Sequence, residues 1–261
     1  MKWILVVLLS LLATVLAVPL LVSPDDEQPI EEMGEFFEGD MELTEAQRRS
    51  LFDGMLDSRT GLLATRYRWP GDTLAYEFNA NVNQEQRDWI ELGLRNISGH
   101  TCLKFVRRTN EADYVHVTTD STGCSSYVGR VGGMQTLKLA PNVPGSGCFR
   151  FGTVVHEFIH ALGFHHSQAA YTRDSYIIIK WENIQAGTEN NFNMRDRTTT
   201  SMFDLDYDYG SVMHYSSTAF SINGQPTIVP IQSGVTIGQR LGMSELDIKR
   251  LNRMYNCPNG Q

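Results

Sequence analysis

The chain has no excess of basic charge. Its 22 lysines and arginines face 30 aspartates and glutamates, for a formal net charge of −8. A nucleic-acid partner would call for a basic stripe, so the composition argues against one. No long apolar run follows the N-terminal segment, which excludes a multi-pass membrane protein. There is also no internal repeat and no low-complexity tract, so neither a repeat array nor a long disordered linker is expected. What remains, at 41% hydrophobic and 20% charged residues, is a globular composition.

The charge is unevenly placed. Residues 18–59 carry twelve acidic groups against Arg48, Arg49 and Arg59, and the chain beyond them is balanced. Ahead of that stretch, Lys2 precedes an almost wholly apolar run from Ile4 to Leu16, closed by the small residue Ala17. This is the pattern of a secretory signal peptide over residues 1–17, which places the mature protein outside the cell and gives it no membrane anchor. Residues 18–59 read as an acidic pro-segment with no core of its own. Within it, a short helix is expected from Thr44 to Leu56. Arg59, in a polar stretch, suits a trypsin-like protease, with Thr60 as the next residue. Residues 60–261 are long enough for one domain with a real core. There the pattern predicts strands at 74–78, 103–106, 114–117 and 136–139, and helices at 83–94, 153–162 and 244–254, with loops dominating after Gly163.

Secretion gives meaning to the four cysteines, since an even count in an oxidising compartment suits two disulfides. Three pairings are possible. Cys124 and Cys148 are close in sequence around a glycine-rich stretch, and joining them leaves Cys102 for Cys257.

The most informative run is His156-Glu157-Phe158-Ile159-His160-Ala161-Leu162-Gly163-Phe164-His165-His166. On a helix, His156 and His160 project from one face, and two such imidazoles can hold a zinc ion. Glu157 stands beside the metal as a proton acceptor and not as a ligand. Gly163 can end the helix in a sharp turn that returns His166 as third ligand, which leaves a position open for chemistry. A scrambled chain with the same seven histidines would carry this pattern with a probability on the order of 10⁻⁵. One zinc ion per chain is therefore expected. His165 is expected to be exposed or on the substrate side.

These residues resemble the astacin family of metzincin zinc endopeptidases. Ser211-Val212-Met213-His214-Tyr215 resembles the family's methionine turn, Phe37-Glu38-Gly39-Asp40 its pro-segment motif, and Trp69-Pro70 a motif soon after the mature N-terminus. The resemblance implies a single-domain α+β member with two lobes. The N-terminal lobe would hold a twisted, mostly parallel sheet and two long helices, and the C-terminal lobe would be loop-rich with one helix. It implies a zinc metalloendopeptidase that works as a monomer on polypeptide substrates. Met213 would lie beneath the metal. Tyr215 would be a fifth ligand that swings away to stabilise the transition state. Asp40 would ligate zinc in the zymogen until cleavage at Arg59. The resemblance also implies the pairs Cys102–Cys257 and Cys124–Cys148, and a substrate-binding strand at Cys124, Ser125, Ser126 and Tyr127.

The match is incomplete. Most astacins place a glutamate directly after the third histidine, where this chain has Ser167, and Ala170 and Thr172 replace the usual arginine and aspartate. A serine supplies no charge for a buried ammonium, so the family's contact with the new N-terminus is not expected of it. Asn96-Ile97-Ser98 is an N-glycosylation sequon, expected on a surface turn just after a helix. Neither Arg195 nor Arg197 can be assigned to a specificity pocket from sequence. The chain ends at Gln261 without an appended module, which points to an enzyme of digestion or of secreted-fluid processing.

Overall fold

Residues 28–52, 65–195, 197 and 201–258 are described by a computed structural model. The signal peptide expected at 1–17 and the cleavage expected between Arg59 and Thr60 lie outside these residues. In chain order the elements are β1 (Met41–Glu42), α1 (Glu45–Phe52), β2 (Thr73–Phe78), α2 (Gln84–His100), β3 (Lys104–Arg107), β4 (Tyr114–Thr118), β5 (Ser125–Tyr127), β6 (Met134–Lys138), α3 (Phe151–Ala161), β7 (Ile177–Ile179), β8 (Ile228–Pro230) and α4 (Glu245–Met254). Short 3₁₀ turns join many of them.

Six strands form one sheet in the order β1-β5-β6-β4-β2-β3. Strands β6, β4, β2 and β3 run parallel, while β5 pairs antiparallel with β6. The added edge strand β1 runs parallel to β5, with Met41 opposite Ser126 and Glu42 opposite Tyr127. The fold is therefore α+β with a mostly parallel sheet, as expected. The C-terminal part is loop-rich but also holds a two-stranded antiparallel sheet of β7 and β8, which sequence reasoning missed. Those strands are three residues each, too short for a period-2 signal to stand out.

Among the described residues there are two large apolar cores and a small cluster of Met41, Leu43 and Val128. The larger joins the sheet to the helices through Leu74, Ile90, Val115, Leu137, Val155, Phe158 and Leu251. The smaller holds Ile177, Phe192, Tyr207, Tyr215, Phe220 and Ile228. Full burial of each large side chain contributes about 1.5–3 kcal/mol. Helix α3 is buried along nearly its whole length, its polar residues His156, Glu157 and His160 included. Helix α2 begins in a capping box, with the Asn83 side chain accepting from Gln86 N–H and the Gln86 side chain accepting from Asn83 N–H. It runs on to His100, six residues beyond the expected end at Leu94. The sequon is thus corrected: Asn96 lies within the helix, and Ser98 Oγ donates to Leu94 O at 3.0 Å.

Both disulfides form as implied, Cys102–Cys257 and Cys124–Cys148. The segment carrying Arg240 is tied to the first turn of α3, where Gly152 N–H donates to Arg240 O at 2.9 Å. Among the described residues, no helix is long and apolar enough to cross a membrane.

Candidate metal centre

Helix α3 presents His156 and His160 on one face, and the chain then turns at Gly163, whose φ is +110°. A side chain at that φ would be strained, so glycine is needed for the turn. Beyond it, His166 folds back towards the other two imidazoles. Its Nε2 lies 3.2 Å from both His156 Nε2 and His160 Nε2. Asp40 closes the group, with carboxylate oxygens at 3.0 Å from His156 Nε2, 3.4 Å from His160 Nε2 and 3.3 Å from His166 Nε2. All four side chains are buried.

This arrangement fits a zinc ion. With bonds of about 2.0–2.1 Å, neighbouring ligands of a tetrahedral site stand about 3.3 Å apart. The outer nitrogens agree with that reading. His156 Nδ1 donates to Val212 O at 2.8 Å, His160 Nδ1 to Phe164 O at 2.7 Å and His166 Nδ1 to Glu38 Oε2 at 2.9 Å. Each such bond turns the Nε2 lone pair inwards, and a cation is the chemistry that makes three converging lone pairs favourable. Burial would raise the Asp40 carboxyl, but the three imidazoles around it, His166 and His160 foremost, hold it well below the usual range.

Glu157 is fully buried, and neither carboxylate oxygen has a hydrogen-bond partner among the described residues. Burial, and then the negative charge of Asp40, push its carboxyl well above the usual range. Tyr215 is also fully buried, its ring 4.7 Å from that of His166. Its hydroxyl donates to Glu38 O at 2.7 Å. Met213 is buried in the larger core, and its carbonyl accepts from Ser167 N–H at 2.9 Å. Ser167 also donates to Ser211 Oγ at 2.9 Å, and Ser211 donates to Asp247 Oδ1 at 2.6 Å. His165 is half-buried rather than exposed, with Nδ1 3.4 Å from Met41 Sδ, so it faces the segment that covers the site.

That covering segment, read from sequence as having no core of its own, is seated on the rest of the chain. Glu31, Glu32, Glu38 and Asp40 are each fully buried against the rest of the chain. Arg240 Nε donates to Glu31 Oε1 at 2.5 Å and Arg240 Nη2 to Glu32 Oε1 at 2.9 Å. Glu32 further accepts from Ser216 N–H at 2.7 Å and Ser216 Oγ at 2.5 Å. Burial would lower the Arg240 guanidinium, but Glu31 and Glu32 raise it above its ordinary value. Burial pushes the Glu32 carboxyl up to about 7, against the pull of Arg240. Glu38 pairs with Arg195, whose guanidinium lies 4.5 Å from the centre of the Phe37 ring. Arg197 instead stands over Tyr171. Strand β5 supplies the edge on which β1 lies, with Ser126 N–H donating to Asp40 O at 2.9 Å.

The family model described as Astacin, a family of peptidases, matches residues 62–256. Zinc metalloproteinase nas-15 of Caenorhabditis elegans is 41% identical over 191 residues, which are 73% of this chain and 32% of that protein. Zinc metalloproteinase nas-13 of the same organism is 38% identical over 235 residues, 85% of this chain and 50% of that protein. The chain therefore spans a third to a half of these two curated relatives. The solved structure of high choriolytic enzyme 1, a hatching enzyme zinc-protease from Oryzias latipes, superposes with a TM-score of 0.67 at 41% identity, covering 78% of this chain and 97% of that one.

Proposed function

The chain belongs to the astacin family of peptidases, and from that membership we propose that it is a secreted zinc endopeptidase of protein substrates, made as a zymogen. The observation that carries this reading is the convergence of Asp40 on His156, His160 and His166, all ligand atoms within 4.8 Å of one another. In this reading residues 1–17 are the signal peptide, 18–59 the pro-segment and 60–261 the catalytic domain. Asp40 fills the position that a substrate needs, and a trypsin-like protease cuts near Arg59.

Bound by the three histidines, zinc supplies a Lewis acid that polarises a carbonyl and acidifies water. Glu157, buried and without a competing partner, takes the proton of the attacking water and returns it to the leaving amine. Tyr215 gives up Glu38 O when the pro-segment leaves, and its hydroxyl then donates to the developing oxyanion. Met213 packs beneath the histidines. The edge at Cys124, Ser125, Ser126 and Tyr127, which β1 occupies through backbone pairing, receives a polypeptide in the same way, with affinity from main-chain bonds.

The test uses the full chain after limited trypsin treatment and separation from the acidic fragment that carries Asp40, on casein or gelatin. Cleavage is expected, and a chelator should abolish it. Glu157→Gln should keep stoichiometric zinc and lower kcat by about 10²–10⁴-fold. Undiminished activity in that variant would remove Glu157 from the mechanism, and chelator-resistant cleavage would remove the metal.

A further inference from the structure

We infer that the pro-segment is a two-point ligand of the catalytic body, and that Glu31 and Glu32 on Arg240 form a second anchor that holds it after the chain has been cut. The inference rests on the zymogen reading and concerns what happens once the covalent link is gone.

Three observations carry it. First, the contact is built and closed. Glu31 and Glu32 are fully buried, Arg240 is 8% exposed, and the three side chains pair directly. Thr153 Oγ1 adds a bond to Glu31 Oε1 at 3.1 Å, and Ser216 gives Glu32 both its N–H and its hydroxyl. None of these groups is a metal ligand, so the anchor does not depend on the carboxylate of Asp40. Second, the two points are joined by a stiff loop. Phe36 N–H donates to Gly39 O at 3.2 Å and Gly39 N–H to Phe36 O at 2.9 Å. Glu38 adds its ion pair with Arg195 and accepts, through its carbonyl, the Tyr215 hydroxyl. Such a segment has little freedom left to gain on staying together, so one anchor holds the other in place. Third, the ligand survives its own activation. No lysine or arginine occurs between Lys2 and Arg48, so a trypsin-like protease cannot cut within the anchoring stretch. Its products are a body and an intact acidic peptide ending at Arg48 or later.

The release of that peptide, rather than the cut, is then the step that opens the site. Removal of the paired carboxylates would leave a buried guanidinium without its counter-charge, which is why loss of this anchor weakens binding strongly.

The experiment is made in a Glu157→Gln background, so that nothing depends on proteolysis and the peptide is not degraded. The full chain is nicked with trypsin and passed through gel filtration, and the protein peak is searched by mass spectrometry for the fragment containing residues 28–48. Expected is co-elution of the fragment, and its loss when Glu31→Gln and Glu32→Gln are added with zinc content unchanged. A labelled synthetic peptide of residues 28–48 is then titrated onto that emptied protein by fluorescence anisotropy. The native peptide should bind, the peptide with both glutamines should bind at least about 30-fold more weakly, and an Asp40→Asn peptide should keep measurable binding. Departure of the fragment from the chain with both glutamates intact would overturn the inference. Equal binding of the native and double-glutamine peptides would do the same, since neither peptide variant has a fold to lose. The proteolytic reading fails separately, if the nicked chain with Glu31→Gln and Glu32→Gln and an intact Glu157, freed of its fragment, shows no chelator-sensitive cleavage.

Discussion

Gly39 shows how one residue sets the state of the whole site. Its φ is +87°, and a Cβ there would lie 2.4 Å from Glu31 O and 3.0 Å from the Phe220 ring. Only glycine lets the loop close tightly enough to carry Glu31 to Arg240 and Asp40 to the histidines together. On the zymogen reading, Gly39→Ala is therefore expected to loosen the proposed pro-segment while leaving the rest of the chain folded. Peptidase activity of the uncut chain should rise, and a substrate assay on uncleaved protein measures it. At this scale the sequence was partly legible. The spacing of His156, His160, Gly163 and His166 is a local signal, and it led directly to the geometry observed. Arg240 was not legible, because its partner Glu31 lies 209 positions away and no local pattern marks a buried arginine. Arg195 was noticed but could not be assigned, for the same reason. The acidic run read only as a segment without its own core, because charge density alone does not show which carboxylates will meet a buried cation.

The elements repeat this lesson in the sheet. Strands β2, β3, β4 and β6 were legible within one or two residues, since each alternates or runs apolar between turn residues. Strand β1 was not, because two residues carry no period and their pairing depends on β5. Helix α2 extends past its expected end because Ile97 still reaches the core after Leu94. Strands β2 and β4 are also bridged at their rim, where Glu77 accepts from His116 Nδ1 at 2.8 Å and from Arg108 Nη1 at 2.9 Å. The bond from His116, opposed by burial and helped by Arg108, holds the Glu77 carboxyl below its usual value of 4.5. A depressed carboxylate stabilises the fold above its unfolded pKa and loses that contribution as pH falls through the folded value. Glu77→Gln should thus cost up to about 1 kcal/mol at pH 6, a small figure because the site is partly exposed. The gap from the parent protein should close as the pH drops below 4.5, and urea denaturation at stepped pH follows it.

Across the whole molecule, two cross-links tie together segments that meet in the larger core. Cys102–Cys257 spans 155 residues and joins the end of α2 to the chain after α4, while Cys124–Cys148 spans 24 and braces the β5 edge. By loop-closure entropy, removing the longer one with paired Cys→Ala changes should cost about 1–2 kcal/mol more than removing the shorter. Chemical denaturation of the two double variants compares them. The two-lobed division was legible from the family likeness, whereas the sheet of β7 and β8 needed the structure. The bond between Gly152 and Arg240 has a consequence at this same scale. The backbone of Arg240 braces the first turn of the helix that bears His156 and His160, while its side chain grips whatever acidic group lies in the cleft. Guest and scaffold thus share a single strut, so vacating the trench also unloads the beam on which the metal is mounted.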